Sequence, residues 1–141
     1  MTAARGVVLA CGLTAAAEVA LWAATIDRVA SVMPAGLLLV AFLVGPPGFL
    51  AMLAWRRRTH PLWPRRFLLL AAVLAVAGVG VLGWDCYRYH TDPQFRAVRS
   101  MNAVLVPLGQ WAAVLAVWLA AVVGEARERR AAAATAGGRR P

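Results

Sequence analysis

The stretch Val7-Val8-Leu9-Ala10-Cys11-Gly12-Leu13-Thr14-Ala15-Ala16-Ala17-Glu18-Val19-Ala20-Leu21-Trp22-Ala23-Ala24-Thr25-Ile26 holds a single charged side chain, Glu18, in 20 residues. A helix rises about 1.5 Å per residue, so this run matches the roughly 17–25 residues needed to cross a bilayer. Working outward, three further apolar runs follow at 32–55, 67–84 and 101–123, with lengths of 24, 18 and 23 residues and no charged side chain. In hydrocarbon every backbone N–H and C=O must bond within its own segment, which makes such runs helices. The sequence therefore predicts an all-α integral membrane protein, a left-handed bundle of four transmembrane helices within residues 1–130. The Ala/Gly/Arg-rich end, 131–141, reads as a disordered cytoplasmic tail.

The apolar fraction of 62% agrees, since soluble domains hold roughly 45–50%. A net charge of +9 would suggest nucleic acid in a soluble protein. Here every basic residue is arginine and most flank the apolar runs, so the charge reads as topology and no nucleic-acid partner is expected. Arg5, the loop 56–66 and the segment after Gly124 hold 11 of the 15 arginines. The positive-inside rule then places both termini and the middle loop in the cytoplasm. Absence of lysine, with a single isoleucine and a single asparagine, points to a GC-rich bacterial genome and so to a bacterial inner membrane.

The connections refine this topology. Residues 27–31 allow only a tight turn, making the first two helices an antiparallel hairpin. The loop 56–66 carries Pro61 and Pro64, with Trp63 suited to the headgroup layer. Thr91-Asp92-Pro93 resembles a helix start, with Asp92 as N-cap. Glu125 and Arg129 are spaced for an i,i+4 pair. Only a short apolar stretch precedes Cys11, less than the roughly 7–15 residues of a signal-peptide core, so an uncleaved first span is expected. Cys11 and Cys86 fall on opposite sides and cannot pair.

Polar groups inside the spans are the candidate site residues. A carboxylate near the bilayer centre costs about 2.5–3.5 kcal/mol on insertion scales for the comparable Asp, so Glu18 must face protein or water. At about 100° per residue, Cys11, Thr14, Glu18, Trp22 and Thr25 lie within about 80° of one another. That stripe is polar or aromatic against Ala, Val and Leu elsewhere. Gln110 in the fourth span has a similar depth and can meet Glu18 if the first and fourth helices are neighbours. Thr14, Trp22, Glu18 and Gln110 would then line a proton or substrate site, or Glu18 would serve as an interhelical hydrogen-bonding group. Prolines 46 and 47, in Gly45-Pro46-Pro47-Gly48, and Pro107 remove amide donors and predict kinks. Ala71, Ala75, Gly78 and Gly80 read as a face on which another helix packs closely. Cys86, His90 and Asp92 include metal-ligand types, although structural metal sites usually use four ligands. Trp84, Tyr87 and Tyr89 suit an aromatic belt.

Ala17-Glu18-Val19, in the first of four short spans, resembles the membrane-embedded glutamate segment of small multidrug-resistance exporters. That similarity covers three residues. The longer loops and the double proline depart from the family's pattern, and its function is not carried over. No nucleophile elbow, phosphate loop, HExxH or CxxC motif is present, so nothing points to an enzyme or a resident cofactor. The leading expectation is a non-enzymatic accessory or scaffold subunit that packs against a larger membrane complex or itself. The alternatives are a small proton-coupled transporter using Glu18 and a metal- or redox-linked enzyme subunit.

Overall fold

The structure is a computed structural model that describes residues 3–25, 33–60, 62–97 and 101–137. The expected turn at 27–31 and residues 138–141 of the tail lie outside the described residues. Five helices occur: α1 (Ala3–Ala23), α2 (Met33–Arg56), α3 (Trp63–Thr91), α4 (Pro93–Ala97) and α5 (Asn102–Gly137), with no strand among the described residues. Four of them, all but α4, are long and apolar enough to cross a membrane. Only 22–33% of each apolar window is buried inside the protein. Leu13, Leu38, Leu69 and Val76 are each 70% exposed or more, an outer surface that suits hydrocarbon rather than water.

The buried positions share one rhythm. In α1 they are Ala4, Val7, Cys11, Thr14 and Glu18, and in α3 they include Pro64, Phe67, Ala71, Leu74 and Gly78. Alternating steps of three and four make a repeat of about 3.5 residues, the pattern of helices that wrap around one another in a left-handed sense. Leu68 packs near Gly6 and Glu18 reaches Gly78, so α1 and α3 run parallel in matched register. Pro107, Gln110, Val114 and Ala121 continue the rhythm on α5.

The arrangement around the bundle differs from the simplest four-helix order. α1 packs against α2 and α3, and α5 packs against the same two, while α1 and α5 barely touch. The order around the bundle is α1, α2, α5, α3, so the first and last long helices are diagonal. The expectation of neighbouring first and fourth helices is corrected here. The apolar core draws on Val7, Leu50, Leu53, Phe67, Leu74 and Val114 among others. These residues come from the halves of the helices nearest the arginine-rich connection between α2 and α3.

Other boundaries move as well. α2 stays helical through Pro46 and Pro47, the positions where a kink is expected. Pro46 is fully enclosed; in apolar surroundings, neighbouring helices hold the turns on either side together across the lost bonds. α5 likewise runs through Pro107. α3 extends past both ends of the expected 67–84 span, taking in Trp63 and Asp85. α5 runs on to Gly137, where disorder is expected from 131. Four alanines at 131–134 carry the highest helix propensity, and propagation from a formed helix escapes the nucleation cost.

Candidate functional site: a polar bridge across the bundle

Glu18 is wholly buried and Gln110 nearly so. The Gln110 Nε2 amide donates to Glu18 Oε1, joining α1 to α5 across the diagonal. The two helices are too far apart for ordinary packing, and the long side chains close the gap between them. Gly78 of α3 makes this possible: a Cβ at that position would overlap both Glu18 Oε1 and Gln110 Nε2. The sequence reading places Gly78 on a helix-packing face, whereas the structure gives its missing side chain to the Glu18–Gln110 bridge.

The other residues of that expected face divide. Ala71 is buried in the core, Ala75 is half-buried, and Gly80 is exposed, with open space where a Cβ would stand. Gly80 therefore lies on a different face of α3 from Gly78, because two residues along a helix turn it by about 200°. The Glu18 stripe divides too. Thr14 is buried and donates its hydroxyl to the Ala10 carbonyl at 2.8 Å. Trp22 is half-buried and lies instead against α2, where a Cβ on Gly36 would come 3.3 Å from the indole.

Below the bridge lies a cavity of about 10 Å³, lined by Cys11, Thr14, Pro47, Leu50, Ala71, Leu74 and Gln110. All four long helices contribute to it. That space is close to the minimum a single water requires, and it offers no room for an organic substrate.

Two further clusters close the bundle's ends. At the arginine-rich end, Arg57 pairs with Glu125 at 3.1 Å, which takes the place of the expected Glu125–Arg129 pair. Trp63 is buried against this cluster, with the guanidinium groups of Arg57 and Arg66 over its ring at 5.5 and 5.2 Å. His60, also near this ring at 6.3 Å, is half-buried. At the other end Asp85, buried on α3, accepts a hydrogen bond from Asn102 at 3.0 Å. Asp85 is a buried polar group the sequence reading missed by ending the third span one residue too early. Its signal was the unbroken apolar rhythm from Ala71 through Gly78 to Asp85.

Of the proposed metal ligands, Cys86 and His90 lie on the continuous α3, as their spacing requires. Asp92 is engaged elsewhere: Arg88 donates to it at 3.1 Å, and its Oδ1 accepts from the Gln94 and Phe95 amides. It is the cap of α4, as the sequence predicts. Hydrogen bonds from Arg88 and from the Phe95 and Gln94 amides hold its carboxyl below the usual aspartate range. No group of three or more His, Cys, Asp and Glu side chains among the described residues stands together to hold a metal. Trp84 and Tyr87 are outward-facing and stacked, with centroids 5.7 Å apart, the arrangement of an interfacial belt.

No protein-family model, curated protein or solved structure matches the chain.

Proposed function

We propose that this protein is a small non-enzymatic subunit of a bacterial inner membrane, with both termini cytoplasmic, that packs against a larger membrane complex or a second copy of itself. The observation that carries this reading is the bridge itself: Glu18 and Gln110, buried polar side chains of α1 and α5, bond to one another. Among the described residues the cavity beside them is about 10 Å³, less than a substrate path needs, and catalysis needs convergent reactive groups in a cleft. What the protein offers instead is surface, four long helices whose outer faces are Leu, Val, Ala and Gly.

The arginines at 56–58, 65 and 66 and the aromatic residues Trp55, Trp84 and Tyr87 support the orientation. Arg58 lies 4.8 Å over the exposed Trp55 ring, a pairing of cation and aromatic suited to the headgroup layer at the cytoplasmic side. A proton-coupled transporter is the second reading, favoured by one observation: an enclosed acid with an unpartnered oxygen.

Extraction from the native membrane in mild detergent, followed by intact-complex mass measurement, tests the leading reading. A stoichiometric membrane partner or a defined homo-oligomer is expected. A bare monomer that drives pH-dependent solute flux in vesicles would overturn it in favour of the transporter.

A further inference from the structure

Glu18 is completely enclosed, yet only one of its two carboxyl oxygens is bonded. Oε1 receives the Gln110 amide, while Glu18 Oε2 and Gln110 Oε1 are buried without a partner. With Glu18 ionised, both of these atoms are acceptors facing apolar surroundings, and each lacks the donor that a buried oxygen requires. Nor does a counter-charge face the carboxylate. Residues 36–55 of α2, 67–84 of α3 and 102–124 of α5 contain no ionisable side chain. On the described parts of α1 and α3, Cys11 lies two turns from Glu18, and Asp85 lies two turns beyond Gly78 and is bonded to Asn102.

From this arrangement we propose that Glu18 and Gln110 form a binding site for one proton at the centre of the bundle. The proton sits on Glu18 Oε2 and is donated to Gln110 Oε1. Acid and amide then meet edge to edge, the amide N–H on Oε1 and the acid O–H on the amide oxygen. The proton is taken from water and returned to water on release, leaving the carboxylate, so no other reactant is involved.

The space and the donor set limit the ligand to a proton. The adjoining cavity of about 10 Å³ cannot hold a hydrated ion. Two unpartnered oxygens fall far short of the roughly six to eight that calcium takes, and the Thr14 hydroxyl is already turned to Ala10. Gly78 is part of the site, since any side chain there would fill the position of the bridge. The bound proton also has a mechanical consequence. It supplies the second of two hydrogen bonds tying α1 to α5, helices that otherwise barely touch.

Infrared spectroscopy of the full chain in lipid nanodiscs, with 13C on the glutamate carboxyls, tests this directly. The chain has three glutamates, and Glu125 and Glu128 lie in the charged segment beyond the apolar span. At neutral pH about one-third of the labelled signal is expected as the protonated C=O stretch, shifting in D2O and lost in Glu18→Gln. In Gln110→Leu the band should move toward that of an acid without a hydrogen-bond partner. If all three labelled carboxyls read as ionised at neutral pH, the proposal is overturned; the labelled wild-type protein decides this without any variant. A protonated band that ignores Gln110→Leu overturns the pairing.

Discussion

At the scale of single residues, glycine 78 and glycine 80 separate two roles that look alike in the sequence. Both lie in the small-residue run of the third span, yet a methyl at 78 meets the Glu18–Gln110 bridge and a methyl at 80 meets nothing. Gly78→Ala should cost about 1–3 kcal/mol, the usual penalty of leaving buried polar groups without partners. Gly80→Ala should stay within about 0.5 kcal/mol of wild type or slightly stabilise the helix. Reversible unfolding in mixed detergent micelles reads both, and equal losses would show that the bridge does not depend on Gly78. The pairing of Glu18 with Gln110 was partly legible in the chain, because matched depth is a matter of counting residues. That the pair spans a diagonal was not, because the order of helices around a bundle leaves no mark on their spacing.

At the scale of elements, α2 shows that a motif read as a kink also forms a seat. The Gly45-Pro46-Pro47-Gly48 segment suggests a kinked helix, since each proline removes a backbone donor. The helix is continuous through it, and Gly45 is where the Trp111 ring of α5 lies against the backbone; a Cβ there would come 2.6 Å from its Cζ2. Phe49, one turn on, adds a tilted ring contact with Trp111 at 6.0 Å. Gly45→Ala should therefore push Trp111 away and loosen α2 from α5, at about 1–3 kcal/mol, the usual cost of overpacking a filled site. Gly48→Ala, with open space around it, is the control. A red shift of Trp111 fluorescence, in a background with the other five tryptophans replaced by phenylalanine, should accompany the first change and not the second. Unaltered emission in Gly45→Ala would mean the indole is not seated on that glycine.

At the scale of the whole molecule, the proposed orientation makes a simple demand. Single cysteines placed at Arg58 and at Tyr87, in a background with Cys11 and Cys86 changed to alanine, should label from opposite sides. In intact cells a membrane-impermeant maleimide should modify position 87, while position 58 should react only after the membrane is opened. The reverse pattern would invert the topology and break the positive-inside argument. Both positions lie at helix ends, Arg58 just after α2 and Tyr87 in the last turns of α3, and both are exposed.

Four apolar runs of spanning length, separated by arginine-rich or polar connections, were enough to determine four long helices, because helix formation in apolar surroundings is a local requirement on each segment. The depth of each polar residue along its helix followed by the same counting. The inward face followed for α1 alone, where Glu18 marks the side that also buries Cys11 and Thr14; for the other helices it did not. In water the buried face is the hydrophobic one and can be read from its period, but here the outward positions Leu13, Leu38, Leu69 and Val76 are more apolar than the inward Cys11, Thr14, Glu18 and Gly78. Apolar surface gains nothing by turning from lipid to protein, so helix faces are chosen by close fit and by polar pairing. Those are properties of two or three helices together. The diagonal bridge, the space at Gly78, the seat for Trp111 and the Arg57–Glu125 closure exist only once the helices have met.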